Sequence, residues 1–367
     1  MLEFRYSGFS IAHSAAANRE VNLEQLSLAD SAGIRLLLSD SRINRVVENQ
    51  KDTTLALLDS VIQDYGSRPG LWGYYISSNP EYDQFTHLAK IVNHFGKKDP
   101  AHHAFISIHP LYKNPKSWGV SDYSDYIQAF VDTVQPSILS VSPYPVIEFK
   151  LHPDYFKNLE IMRDIWIENN IPFWPTVMVA HVEDLPPTVH SHLRLQSFSA
   201  LAYGARGIQY FSYFTPKDRS LNYKNALIDA EGNRSSIYQT VMRINREIKQ
   251  IGQILNQCKS IRVYHTEPLP AGTQRLESRD PILFIKEGQF LVGLFEDMDK
   301  KRYALLVNRD YLYGAKITVY FDNSVNMIRE IAKNHVKPYI HTWTGAGERS
   351  CELLFKAGDG RLFEITE

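Results

Sequence analysis

Apolar residues in the first 255 positions fall into short, nearly continuous runs separated by longer stretches in which they recur every third or fourth residue. The short runs occupy residues 8–13, 33–38, 71–76, 103–108, 137–141, 171–177 and 207–213. They return about every 34 residues, each followed by a helical pattern, as repeated βα units of a parallel sheet or barrel do. The runs lack clean alternation, which fits strands buried on both faces. Ile237, Val241, Ile244, Ile248, Ile251 and Leu255 form one helical stripe, and Phe156, Leu159, Met162, Ile165 and Trp166 form another over 153–169.

After Cys258 the pattern changes to short strands with turn signals: IRVYH, PILFIKEG, FLVGLFED, YALLVNR, KITVYFD, YIHTWTG and GDGRLFEI. The segment 259–367 is expected to be a small antiparallel β-sandwich, behind a (β/α) barrel at 1–258. Seven units are one short of a closed (β/α)8 TIM-type barrel. The opening MLEFRYSG reads as the last turn of a helix feeding a strand, so the expectation is either a first strand lying upstream or a closing strand that the pattern does not reveal.

Composition narrows the function classes. Forty Lys+Arg against 41 Asp+Glu leave a net charge of -1, with no basic surplus for a phosphate backbone or an anionic membrane. Two cysteines provide neither a disulfide framework nor a Cys-based zinc site. No run approaches the roughly 20 apolar residues of a membrane span, and Glu3 and Arg5 break any signal-peptide pattern at the N-terminus as written. No nucleic-acid or membrane partner is therefore expected, and the compartment stays open.

In a βα barrel, chemistry belongs at the C-terminal ends of the strands. Counting one upstream strand, LWGYYISSNP is the fourth strand, ending in Ser78, Asn79 and Pro80 with Glu81 beyond. Asp40 ends GIRLLLSD, and Glu148 and Glu183 follow the sixth and seventh strands. These four acids are the catalytic candidates, although Glu81 also suits the start of a helix. His109 and His181 stand near strand ends with His13, but no HxH or HExxH spacing supports a metal site, which leaves a sugar-hydroxyl hydrogen bond or a plain structural role. Rings at strand ends can stack on sugar faces, and Tyr144, Trp174 and Tyr213 are the candidates. Trp343 in the sandwich reads as packing.

The segments LWGYYISSNPEYDQF, DPAHHAFISIHPLY, SVSPYP, IPFW and LAYGARGIQYFSYFTP, in that order, resemble a group of bacterial barrel glycoside hydrolases related to the family 42 β-galactosidases and their clan. The resemblance covers the barrel and implies a carbohydrate-active protein without a cofactor, taking an oligosaccharide or glycoside ligand, as an enzyme of O-glycosyl hydrolysis. It would also allow a periplasmic or secreted location if residues precede the chain as written. Apart from the resemblance, a homodimer is one way to cover the open edge of a seven-strand barrel. Such relatives carry Asp-Glu-Pro or Asn-Glu-Pro after the fourth strand, with the Glu as general acid and base, whereas this chain has Ser78-Asn79-Pro80. Where they carry an Asp before Tyr-Pro, it has Ser142. An amide cannot give up and recover a proton at useful pH. Two readings follow: hydrolysis by a rearranged acid pair, or a catalytically inactive carbohydrate-binding barrel in which Asn79 and Ser142 contact the sugar.

Overall fold

The computed structural model describes residues 1–367 apart from 15–17, 50–53, 112–119, 144–145, 148–149, 183–187, 217–221, 278–280, 334–336 and 344–346. The chain divides into two compact units, Met1–Ser142 with Asp164–Phe173, and Pro143–Arg163 with Trp174–Glu367.

The first unit opens with a short helix α1 (Leu2–Tyr6) and then alternates strand and helix: β1 (Ile11–Ser14), α2 (Arg19–Ala32), β2 (Arg35–Leu38), α3 (Ser41–Asn49) and α4 (Ala56–Tyr65). It continues with β3 (Leu71–Ser78), α5 (Phe85–Lys98), β4 (His103–Ile108), α6 (Tyr123–Val134) and β5 (Leu139–Val141). The five strands are parallel and lie side by side in chain order. The helices obey local rules. Asn18 caps α2 by accepting from the amides of Glu20 and Val21, and Gly33 closes it in the left-handed region at φ 64°.

Side chains alternate across β3. Tyr74 packs against Phe95 of α5 and donates to Asp99 at 2.6 Å, whereas Tyr75 turns to the other face and stacks on His13 of β1 with ring centroids 4.4 Å apart. Strand β2 lies between β1 and β3, and flat neighbours would sit about 4.8 Å apart per step. Ring contact across an intervening strand therefore requires the sheet to curl, with His13 and Tyr75 on the concave face.

In the second unit, the start of helix α7 (Tyr155–Asn169) precedes the parallel pair β6 (Phe173–Met178) and β7 (Gln209–Phe211). Between these strands runs α8 (His190–Ala202), and α9 (Tyr238–Leu255) follows them. Ten of the thirteen residues of α8 are buried, as befits a helix covered on all sides. One cover is the antiparallel sandwich: an added Cβ at Gly293 would meet the Ala202 carbonyl oxygen at 2.2 Å, and one at Gly360 would meet Phe198 at 2.6 Å.

The sandwich strands are β8 (Lys259–His265), β9 (Ile282–Lys286), β10 (Phe290–Glu296), β11 (Arg302–Asn308), β12 (Ala315–Phe321), β13 (Met327–Glu330), β14 (Tyr339–His341), β15 (Ser350–Phe355) and β16 (Gly360–Thr366). They form a six-stranded sheet, β8-β10-β11-β16-β13-β14, and a three-stranded one, β9-β12-β15. Alternate residues of both sheets, among them Tyr264, Phe290, Leu306, Val319, Leu353 and Phe363, make its core. Trp343 packs against that core, 5.8 Å from Phe321 between ring centroids, and lies under Arg349. Strands β13 and β15 are absent from the sequence reading. MIRE is short and half charged, and SCELLF follows a Gly-rich turn, so neither stands out by hydropathy alone.

Candidate functional site

The C-terminal ends of β1 to β5 gather His13, Ser39, Asp40, Ser78, Asn79, His109 and Ser142 in the first unit. A buried polar bracket ties the first two strand ends together. Asn22 of α2 accepts from Ser14 Oγ at 3.1 Å and donates to the Ser39 carbonyl at 2.8 Å. His13 Nε2 lies 2.9 Å from Ser39 Oγ, while its ring stacks on Tyr75. Desolvation by the atoms packed around the ring lowers the His13 imidazole to about 4, although the residue as a whole remains exposed. It is therefore neutral near pH 7, able to donate from one nitrogen and accept at the other.

Asp40 is 1% exposed and fully engaged. It accepts from Arg42 Nε at 2.9 Å, from Arg42 Nη2 at 2.9 Å, from the Arg42 amide at 2.8 Å and from Tyr65 Oη at 2.8 Å. Arg42 is held in turn by Asp64 at 2.8 Å. Burial raises the Asp40 carboxyl, but the Arg42 and Tyr65 hydrogen bonds outweigh it and hold the group below the usual carboxylate range. A carboxylate with its lone pairs occupied by a bidentate guanidinium, an amide and a phenol has neither a proton to give nor an open face for attack.

Glu81 sits differently. It caps the short 3-10 turn Tyr82–Gln84 in a reciprocal box, its side chain accepting from the Gln84 amide and its own amide donating to Gln84 Oε1 at 2.8 Å. Its Oε1 also stands 3.7 Å from Nε2 of the buried His109. The backbone here is pinned by two buried tyrosines, Tyr126 donating to the Pro80 carbonyl at 2.6 Å and Tyr123 to the His109 carbonyl at 2.5 Å. Asn79 precedes this turn at φ 50°, a left-handed conformation that asparagine tolerates better than glutamate. Its amide donates to the Ser107 carbonyl at 2.6 Å. Ser78 is exposed at the end of β3, and Ser142 is half-buried just past β5.

In the second unit, Trp174 is the second residue of β6, near the N-terminal end of the strand. Its indole covers Gly207, where a Cβ would fall 2.5 Å from the ring. That level is the end of a barrel strand opposite to the one that carries chemistry. Tyr213 lies just past β7, in edge contact with Phe214 at 4.9 Å, and Phe211 meets Tyr223 at 5.4 Å. His181 is paired through its backbone with Lys224 in a short antiparallel ladder. Tyr144, Glu148 and Glu183 lie outside the described residues.

The structure thus brings His13, Ser39 and Tyr75 together, and likewise Glu81 and His109. Sequence reasoning missed Arg42, two residues beyond Asp40, as the group that engages that carboxylate. An Asp-x-Arg at the end of a strand is the signal that could have found it.

No family model matches the chain, and no curated protein matches it. Among solved structures, a β-galactosidase from Bacillus circulans sp. alkalophilus superposes with a TM-score of 0.69 at 9% identity, covering 99% of this chain and 96% of that one. A GH42 β-galactosidase from G. stearothermophilus gives 0.64 at 8% identity, covering 100% and 95%. A β-galactosidase from the psychrophilic Marinomonas ef1 gives 0.53 at 10% identity over 69% of this chain, which spans 57% of that protein. Likeness at such identities establishes architecture and leaves chemistry to the site. The chain has the TIM-type barrel fold of these glycoside hydrolases, with seven parallel strands followed by antiparallel C-terminal sheets.

Proposed function

We propose that the protein is a carbohydrate-binding barrel of glycoside-hydrolase type that holds a saccharide at its strand ends without cleaving it. The observation that carries this reading is the engagement of Asp40 by Arg42 and Tyr65. Glycoside hydrolysis needs two carboxyl groups flanking the bond, one of them able to exchange a proton. Asn79 stands where related hydrolases carry their acid, and Asp40 is committed to its cation. Neutral donors and acceptors of the first unit, His13, Ser39, Ser78, Asn79 and Ser142, suit sugar hydroxyls, and the Tyr75 ring beside His13 offers an aromatic face.

Glu81 supports a second reading. Its half-exposed carboxylate beside His109 can serve as one member of a rearranged acid pair. Incubating the full chain with a panel of oligosaccharides and aryl glycosides, with product chromatography and thermal melting in parallel, separates the two. The binding reading expects saturable stabilisation by some sugars and no released product. Release that Glu81→Gln abolishes would establish the hydrolase.

A further inference from the structure

A cavity lies in the second unit, lined by none of the residues of β6 and β7. It has a volume of about 390 Å3 and lies between helices α8 and α9 and the strands of the larger sandwich sheet. Five cations line it, Arg194, Arg243, Lys333, Lys337 and Lys356, against three carboxylates, Glu247, Glu330 and Asp359.

The carboxylates are already taken. Lys333 stands 2.8 Å from Asp359 and 3.5 Å from Glu247. Glu330 accepts from Arg361 Nε at 2.7 Å and faces His341 at 3.2 Å, both outside the cavity lining. Arg194 spends two of its donors on the Ala357 carbonyl. Lys333 is shared by Glu247 and Asp359 and Glu330 is bound by Arg361, so the lining keeps an excess of five cations over three carboxylates. Its exposed cations Arg243, Lys337 and Lys356 have no carboxylate partner among the described residues.

Helix α8 adds to the same field. It is thirteen residues long, begins at His190 on the cavity wall, and has Val189 at its N-cap with no side-chain hydrogen bond. An uncapped N-terminus presents amide donors and the positive end of the helix dipole.

We propose that this cavity binds a phosphate or sulfate group, free or carried on a sugar. A tetrahedral dianion matches the site. It accepts from the planar fork of Arg243 and from the ammonium groups of Lys337 and Lys356 at once, which a neutral sugar or a single carboxylate does not. The assignment is independent of what the barrel strand ends bind.

The test is calorimetric and thermal-shift titration of the full chain with inorganic phosphate, inorganic sulfate, glucose 6-phosphate and glucose 6-sulfate. Glucose and sodium chloride of matched ionic strength serve as controls. The expected result is saturable binding of at least one dianion, absent with glucose and chloride. Arg243→Gln combined with Lys356→Gln should weaken it about tenfold or more, and Lys337→Gln alone should weaken it less. These side chains are exposed, so the variants should fold; Lys316→Gln, on the three-stranded sheet, is the control that matches the single charge lost in Lys337→Gln. Tighter binding of a sugar ester than of the free anion assigns the sugar-borne source, and equal or weaker binding assigns the free anion. Responses no larger than those to chloride, or equal affinity in the double variant and the wild type, would overturn the proposal.

Discussion

Asp40 and Arg42 face each other through two parallel hydrogen bonds of 2.9 Å, a bidentate pair formed two residues apart at the turn from β2 into α3. The pair orients the end of a barrel strand, where carboxylates of this fold do chemistry, and turns the acid into a structural anchor. Removing one partner leaves the other charged and poorly solvated, so Asp40→Ala should lower stability by about 3 kcal/mol, at the lower end for a buried pair because Asp64 still holds Arg42. Denaturant unfolding checks this, and a loss below about 1 kcal/mol would contradict the anchoring role.

The same pair sets a pH dependence. The folded-state value for Asp40 is depressed, so its contribution is fully present above the unfolded value and is lost as pH falls through the folded one. Glu330 behaves alike in the sandwich. Burial raises it, yet the hydrogen bonds from Arg361 and His341 push it down to about 2. Stability should therefore fall between about pH 4.5 and 2 by an amount of the order of 2 kcal/mol from Glu330, once solvent screening is counted. Acid titration of the melting temperature should show a shallower fall in Glu330→Gln.

His13 moves in the opposite sense. Its imidazole is lowered to about 4, so in the window from about 6.5 down to 4 the unfolded chain binds the proton and the folded chain does not. Stability should rise with pH across that window. Imidazole NMR titration should give a midpoint well below 6 for His13, and a midpoint near 6.5 would show that its neighbours do not desolvate the ring.

Glu81 distinguishes a cap from a catalyst. Glu81→Gln keeps an acceptor for the Gln84 amide and should leave stability nearly unchanged, whereas Glu81→Ala should cost about 1 kcal/mol. Under the binding reading, both variants should retain sugar-induced stabilisation. Loss of binding in Glu81→Gln with intact stability would show that the carboxylate touches the ligand.

Gly207 reports on Trp174. A methyl group there would fall 2.5 Å from the indole, so Gly207→Ala should destabilise by about 1 to 3 kcal/mol, and Trp174→Leu should relieve part of that loss. If the two substitutions were additive in a double-mutant cycle, the ring would not be packed on this glycine.

Much of the architecture was legible in order and period. Seven strand segments and the helices between them follow from hydrophobic runs and 3.6-residue stripes, since both express local backbone geometry and the need to bury one face. The sandwich was legible from alternation and turn residues, except for β13 and β15, whose hydropathy is too weak to announce a strand. The resemblance to barrel glycoside hydrolases also came from segments in sequence, and the solved structures share that fold.

What only the tertiary structure decided is which side chains share a neighbourhood. Asp40 reads as an available acid until Asp64 and Tyr65, more than twenty residues away, arrive beside it with Arg42. Trp174 reads as a strand-end ring until the span of β6 puts it near the opposite end, over Gly207. Arg243 and Lys356 are ordinary surface cations until α9 and the sandwich bring them to one cavity. Periodicity is set by each residue's own backbone and neighbours, whereas the charge, proton affinity and accessibility of a group are set by atoms brought near from elsewhere in the chain.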